Sequence, residues 1–342
     1  MISLSSQMRA GAMTFMLAGF GFPAAAAAES VADFYKGKTV NVLIGVGAGG
    51  EYDLQARLVA RHIGKHIPGT PVVVAQNMTG AGGLKMANYL YDVAPKDGTY
   101  IGMIANSFPA SQVVGLEGLQ FDANKFGWLG TMAATVETMA IWHTAGIKSV
   151  DDVKTREIVA GASGKGAITY TLPAVMNEVL GTKFKIVTGY TGGNQINLAM
   201  ERGEVQARNN TWSSWKATKT DWIRDKKLSV IVQAGPRASD LDAPSLEDLA
   251  KTPEDRQLVE LIVSGTQLGR PLATTPGVPE DRLKALRAAF AATMKDPEFL
   301  EEARKLNFDV DPVLGDAMQK VVAKVLATPK KVADRARPLL EN

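Results

Sequence analysis

The fold class this 342-residue chain predicts is α/β in two lobes, each a central sheet flanked by helices. Three observations predict it. A buried-type strand runs into a glycine loop and then an amphipathic helix over residues 39–63; the same order returns at 71–93; and after a break in rhythm it is repeated at 157–180 and 184–202. Alternation of strands and helices at these lengths builds an open α/β sheet, and the chain is long enough for two cores.

Residues 39–53 read TVNVLIGVGAGGEYD. Thr39, Val40, Val42, Leu43 and Ile44 suit a strand covered on both faces. Gly45, Gly47, Gly49 and Gly50 then leave a loop of nearly bare backbone, and Leu54, Leu58, Val59 and Ile63 place one apolar face on a helix over 52–63. The free N–H groups and positive dipole end of that helix point back at the loop, so the corner is suited to an anion.

The second unit has strand 71–76 (PVVVAQ, read as a buried-type strand), loop 77–83 (NMTGAGG) and helix 83–93. Asp97-Gly98 turns into a third strand, 100–105, which ends at Asn106 and Ser107. Around 127–142 the short pieces WLGTMA and TMAIW have no long helix between them, which marks the passage into a second lobe. That lobe has strand 157–161, loop 162–166 and helix 169–180, then strand 184–188, loop GYTGGN at 189–194 and helix 195–202. Strand 205–207 ends at Arg208 and Asn209; strand 228–233 and the Pro-marked stretch 235–255 close the lobe. Residues 268–274 read as a returning strand, Pro276 and Pro279 precede a helix over 281–295, and the remainder reads as helices packed on the first lobe. Ligands of open α/β sheets bind at the carboxyl ends of the strands, so a cleft between the two sets of loops is expected.

Residues 1–28 stand apart in composition, with a single charge at Arg9, an apolar segment over 10–22, Pro23 and Ala26-Ala27-Ala28. This is the pattern of a secretory signal peptide cleaved near Ala28, which places the mature chain in the periplasm. No second stretch of membrane-spanning length follows. The absence of cysteine excludes disulfides, thiolate metal sites and a cysteine nucleophile. Without Arg9, 37 basic residues face 35 acidic ones, a balance that makes no electrostatic case for nucleic acid or a membrane surface.

Several features admit rival readings. Gly45, Gly47 and Gly50 satisfy G-x-G-x-x-G between strand and helix, but the second strand ends in Gln76-Asn77 rather than the acidic residue that holds a ribose, so no dinucleotide cofactor is expected. His62 and His66 are four apart on one helix, either a metal pair or part of a solvated face; without the Glu of H-E-x-x-H the solvated face is preferred and no metal is assigned. Ser163 misses the last position of a G-x-S-x-G elbow, and three histidines in the whole chain leave it few bases. It donates to a ligand or caps the helix at Thr169. Asp53 is a capping carboxylate or a ligand or water contact. Trp212, Trp215 and Trp222 belong to core or lobe interface, or else flank a ligand ring; Lys165 and Arg208 are candidates to pair with a second carboxylate.

The motifs GAGGEYD at 47–53, NMTGAGG at 77–83, PKDGTYIGMI at 95–104, GYTGGN at 189–194 and TPGVPEDRLKALRAAFAATMKDPEF at 275–299 together resemble the periplasmic receptors of tripartite tricarboxylate transporters, the Bug receptors, over nearly the whole mature chain. The resemblance implies a type II-like, hinge-joined periplasmic binding protein fold that closes on a small carboxylate and passes it to membrane permease subunits, with no cofactor, acting as a monomer. It departs from the family at Gly45-Val46-Gly47-Ala48, where prolines commonly stand, and at the tryptophan-rich stretch 208–222. The expected division is 1–28 as signal peptide, 29–134 with 262–342 as the first lobe and 135–261 as the second. Expected ligand contacts are Gly47, Ala48, Gly49, Gly50, Tyr52, Asp53, Asn77, Gly80, Ala81, Gly82, Gly83 and Ser107 from the first lobe. From the second they are Ser163, Gly164, Gly166, Tyr190, Gly192, Gly193, Asn194 and Asn209, with backbone amides of the glycine loops as the main donors. A periplasmic enzyme acting on a small carboxylic acid is the rival class; no base and nucleophile pair supports it.

Overall fold

The computed structural model describes residues 1–2 and 29–341, so most of the segment read as a signal peptide lies outside the described residues. Residues 29–341 form two mixed sheets. The first runs β11-β4-β10-β3-β1-β2, with β1 (Thr39–Ile44), β2 (Val72–Asn77) and β3 (Tyr100–Met103) parallel, and β4 (Gly127–Thr131) and β11 (Val313–Leu314) reached through an antiparallel β10 (Leu272–Thr274). The second runs β7-β6-β8-β5-β9, with β6 (Ile158–Gly161), β7 (Phe184–Val187) and β8 (Ala207–Thr211) parallel, and β5 (Glu137–Trp142) antiparallel to both β8 and β9 (Leu228–Ala234). This is the expected two-lobed α/β architecture. In each sheet the strand next to one edge, β1 or β6, has parallel neighbours on both sides, which creates a switch point at its carboxyl end.

The apolar run of β1 is buried as its composition requires, and the helix Glu51–Ile63 covers it with Ala56, Leu58, Val59 and Ile63. Four differences from expectation have physical causes. β2 is an edge strand with Val72 and Val74 exposed, because its outer neighbour position is unfilled; composition does not reveal which strand ends a sheet. β8 lies over Ala207–Thr211 rather than 205–207, since antiparallel pairing with β5 overrides the polar residues Arg208, Asn209 and Asn210. A two-residue strand, Val313–Leu314, interrupts the C-terminal helices to pair with β4.

The fourth difference concerns the end of the chain. Helices Glu280–Thr293 and Gly315–Leu326 pack on β4 as expected, but Lys330–Ala336 lies on Pro253–Val263 and Pro338–Glu341 lies on Ile168–Leu180. Arg335 pairs with Asp255 and Glu178 there. Residues 330–341 therefore strap back over the second sheet's helices instead of staying with the first. Chain crossings between the sheets at 132–136 and 264–271 run side by side, joined by Thr135 N–H to Thr266 O at 2.8 Å and Arg270 N–H to Thr131 Oγ1 at 3.0 Å. Among the described residues no helix is long and apolar enough to cross a membrane.

Candidate functional site

Loops from the carboxyl ends of both sheets face each other around an enclosed cavity of about 70 Å³. β1 and β3 deliver Gly49, Gly50, Asn106 and Ser107; β6 delivers Ser163; β8 delivers Arg208, Asn209 and Asn210. Three helices of full length begin at its wall: Glu51–Ile63 behind Gly50, Ile168–Leu180 behind Ala167, and Gly193–Glu201 behind Gly192, none with a side-chain cap. Small N-terminal residues with no side-chain acceptor leave those first-turn N–H groups for whatever enters, and the three dipoles add at one place.

Two buried arginines line the cavity, and their surroundings differ. Arg270 donates from Nε and Nη2 to Glu51 Oε2 at 3.0 and 2.8 Å, and its Nη1 lies 3.5 Å from Glu137 Oε1. Thr211 Oγ1 (2.5 Å) and Ser213 Oγ (2.6 Å) complete the Glu51 carboxylate, and Asn209 donates to Glu137 at 2.8 Å. Burial by itself would lower the Arg270 pKa, but the facing negative groups, Glu51 foremost, outweigh it and hold the guanidinium above its ordinary value. Its charge is spoken for. Tyr52 lies beneath it, ring centroid 4.3 Å away, with its hydroxyl bonded to Asn106 at 3.2 Å; burial raises the Tyr52 pKa, so the phenol stays a neutral donor.

Arg208 has no such partner. It is 4 % exposed and donates only to neutral oxygens: Asn209 O at 2.9 Å, Gly193 O at 2.6 Å and Asn197 Oδ1 at 2.7 Å. Burial pushes its pKa down to about 9, which leaves it a cation at neutral pH. Trp215 backs it at 5.2 Å.

Eleven of the expected contacts line this cavity: Gly49, Gly50, Tyr52, Gly82, Gly83, Ser107, Ser163, Gly192, Gly193, Asn194 and Asn209. The other nine do not, and most have structural work. Asp53 accepts from the Gly49 amide (3.0 Å), Arg57 (2.9 Å) and Asn77 (2.9 Å), and Asn77 also donates to Val46 O, so this pair braces the first loop. Burial would raise the Asp53 pKa, yet these hydrogen bonds prevail and hold it below its ordinary value. Gly47 donates across the cleft to Thr191 O at 2.8 Å, and Gly164 packs on Gly82, where a Cβ would stand 2.8 Å from Gly82 N. Gly166 O accepts from Ser107 at 2.6 Å. Gly80, Ala81, Gly164 and Tyr190 line a separate outer recess, and Ala48 is exposed. Because the amides of Gly47, Gly49 and Gly83 already donate to protein oxygens, they are not the guest's donors as expected; the first-turn amides that follow Gly50, Ala167 and Gly192 are better placed.

Ser163 does not cap the following helix: its hydroxyl lies 3.2 Å from Thr169 Oγ1, which also accepts from its amide. All three tryptophans pack in one core cluster away from the cavity, and Lys165 is exposed. His62 and His66 are neither metal pair nor solvated face; they meet Glu302 at 2.7 Å and Asp296 at 2.8 Å across the interface with helix Pro297–Lys305. His62, Asp296 and Glu298 could reach one ion, but Lys65 Nζ already lies 2.6 Å from both carboxylates. Sequence reasoning missed Glu51, Glu137 and Arg270. A charged residue opening a helix straight after a glycine loop, and an arginine in a returning strand, were the available signals.

Two sheets that end in facing loops around one cavity define a two-lobed α/β cleft fold. No protein-family model matches the chain. Its sequence is similar to the "UPF0065 protein in gbd 5'region" of Cupriavidus necator, 25% identical over 310 residues that make up 86% of each chain. Its fold is similar to that of the periplasmic binding protein BugD (18% identity, 88% of this chain and 98% of that one, TM-score 0.72). It is also similar to an R. palustris protein solved with adipate (18% identity, 87% and 97%, TM-score 0.68) and to MatC of Rhodopseudomonas palustris with bound malate (17%, 89% and 99%, TM-score 0.68). The resemblance to the Bug receptors read from the motifs is thus borne out, and the chain has their periplasmic binding protein fold.

Proposed function

We propose that this chain is an extracytoplasmic solute-binding protein that captures a small carboxylate between its lobes and delivers it to the permease subunits of a tripartite tricarboxylate-type transporter. The carrying observation is the convergence of three uncapped helix N-termini and a buried guanidinium without a carboxylate partner on one cavity. Such a site favours an anion and is too enclosed for a macromolecule. Adipate and malate bound to similar folds support the ligand class, and the leader-like residues 1–28 support export to the periplasm. No histidine lines the cavity, the Glu51 carboxylate there is tied to Arg270, Thr211 and Ser213, and the Ser163 hydroxyl meets Thr169, so no base is paired with a nucleophile for acyl chemistry.

The test is thermal unfolding of the purified mature protein with acetate, succinate, malate and adipate, together with mass spectrometry of the recovered acid. A ligand at 100 times its dissociation constant stabilises by about 2.7 kcal/mol, which moves the midpoint by several degrees. Stoichiometric stabilisation with unchanged acid is expected. Turnover of the acid refutes a pure binding role.

A further inference from the structure

We propose that Arg208, assisted by Asn210, forms a direct ion pair with a carboxylate of the guest, so that recognition depends on a side-chain cation and not on backbone amides alone. This rests on reading the cavity as a carboxylate site and adds which group selects for the ionised acid. Arg208 and Asn210 are two apart on β8 and leave the strand on the same side. Both line the cavity, and they are 4 % and 6 % exposed. Of the three buried side-chain polar atoms without a partner among the described residues, Asn210 Nδ2 is the one at the cavity.

The guanidinium shows why a guest is needed. Nε and Nη1 are taken up by Asn209 O, Gly193 O and Asn197 Oδ1, whereas Nη2 donates to no protein group among the described residues. Nη2 lies against the start of helix Gly193–Glu201, close enough that a Cβ on Gly193 would stand 2.8 Å away. A glycine there keeps the nitrogen uncovered. One carboxylate oxygen on Nη2 with the other on Asn210 Nδ2 would supply the missing negative charge, fill both unmet donors and place the anion at the helix terminus. Glu137 and Glu51 act on Arg208 only at a distance, and no carboxylate is in hydrogen-bond contact with it, so a guest's carboxylate would be its first direct ionic partner. Arg270 is excluded from the role because Glu51 and Glu137 already neutralise it.

The experiment titrates wild type, Arg208→Met and Arg208→Lys calorimetrically. The probe is whichever of succinate, malate and adipate stabilises the wild type most, compared with its mono-amide, or with both mono-amides in the case of malate. In the wild type the acid is expected to bind ~30-fold or more tightly than a mono-amide, the size associated with removing one partner of a buried charge pair. In Arg208→Met that preference collapses to within about threefold, and Arg208→Lys, which keeps the charge but not the fork, restores part of it. A merely structural defect would weaken acid and amide alike and leave their ratio unchanged. Retention of the full acid preference in Arg208→Met overturns the ion pair while leaving the solute-binding reading intact. Should Arg208→Met fail to fold, Arg208→Gln takes its place with the same ratio as readout. If none of the acids binds the wild type, the carboxylate reading and this proposal both fall.

Discussion

At the scale of single residues, the buried charges divide into a structural set and a receptive one. Glu51, Glu137 and Arg270 form a closed network with every carboxylate oxygen of Glu51 bonded, and its members come from both sides of the cleft. Removing Glu51 takes the hydrogen-bonded acceptor from Arg270, Thr211 and Ser213 deep in the protein, and breaking such a buried pair costs about 3–5 kcal/mol. Glu51→Ala should therefore lower the urea midpoint by that equivalent; an unchanged midpoint would mean the network contributes nothing net. Asp53 makes a prediction of opposite use. Its folded pKa lies below its ordinary 3.8, so the stability it contributes is fully present above that value and is lost as pH falls through the folded value. The gap in stability between wild type and Asp53→Asn should thus be wide at pH 6 and shrink below about pH 4; a gap constant with pH would separate Asp53 from the bracing of the loop. Little of this was legible beforehand. Asp53 and its glycine loop are local features, whereas Glu51 and Arg270 are 219 positions apart and nothing short of the folded chain pairs them.

Among elements, what could be read in advance depended on whether the information was local. β1 and β6 were visible because a parallel strand between two neighbours is a continuous apolar run, and their glycine loops were visible because small residues cluster. β8, with the sequence ARNNT, was read as ending at Ala207 because its polar side chains, which serve the cavity and the interlobe network, hide the rest of the strand. The glycines also proved to serve two ends. Gly82 and Gly83 line the cavity, while Gly47 and Gly164 form the closing contact between the two sheets' loops. Gly164 does not need a positive φ, yet a Cβ there would stand 2.8 Å from the backbone nitrogen of Gly82. Gly164→Ala is therefore expected to leave the unfolding midpoint of the free protein within about 0.5 kcal/mol of wild type, as is usual for a change that burdens no folded core. It should nevertheless weaken binding of the stabilising acid tenfold or more, because the backbone cannot move aside in the closed form. Equal affinity in calorimetry would show that this contact is not needed for closure.

For the whole molecule, the distribution of interlobe contacts defines where motion is possible. The crossings at 132–136 and 264–271 lie together, Arg270 sits in one of them and Glu137 follows the other, so the buried charge network is beside the pivot. The C-terminal strap passes the same region, since Ala327, Thr328 and Pro329 share a cavity with Thr266 and Gln267. Contacts at the outer loops are of another kind: Gly47 to Thr191 and Gly82 against Gly164 are backbone contacts between exposed or small residues. Each such hydrogen bond contributes about 1 kcal/mol net, and water can replace it. Rotation about the pivot would break these outer contacts while the inner network stays intact, and a guest that touches both lobes stabilises only the closed form. Small-angle scattering measures this directly. The radius of gyration should fall on saturation with the stabilising acid towards the ~20 Å of a compact chain of this length, and Gly164→Ala should stay expanded at the same acid concentration. If the free protein already scatters as the compact form and saturation changes nothing, the outer contacts suffice to hold the lobes together and the guest must enter by local opening of the loops at Gly47 and Thr191.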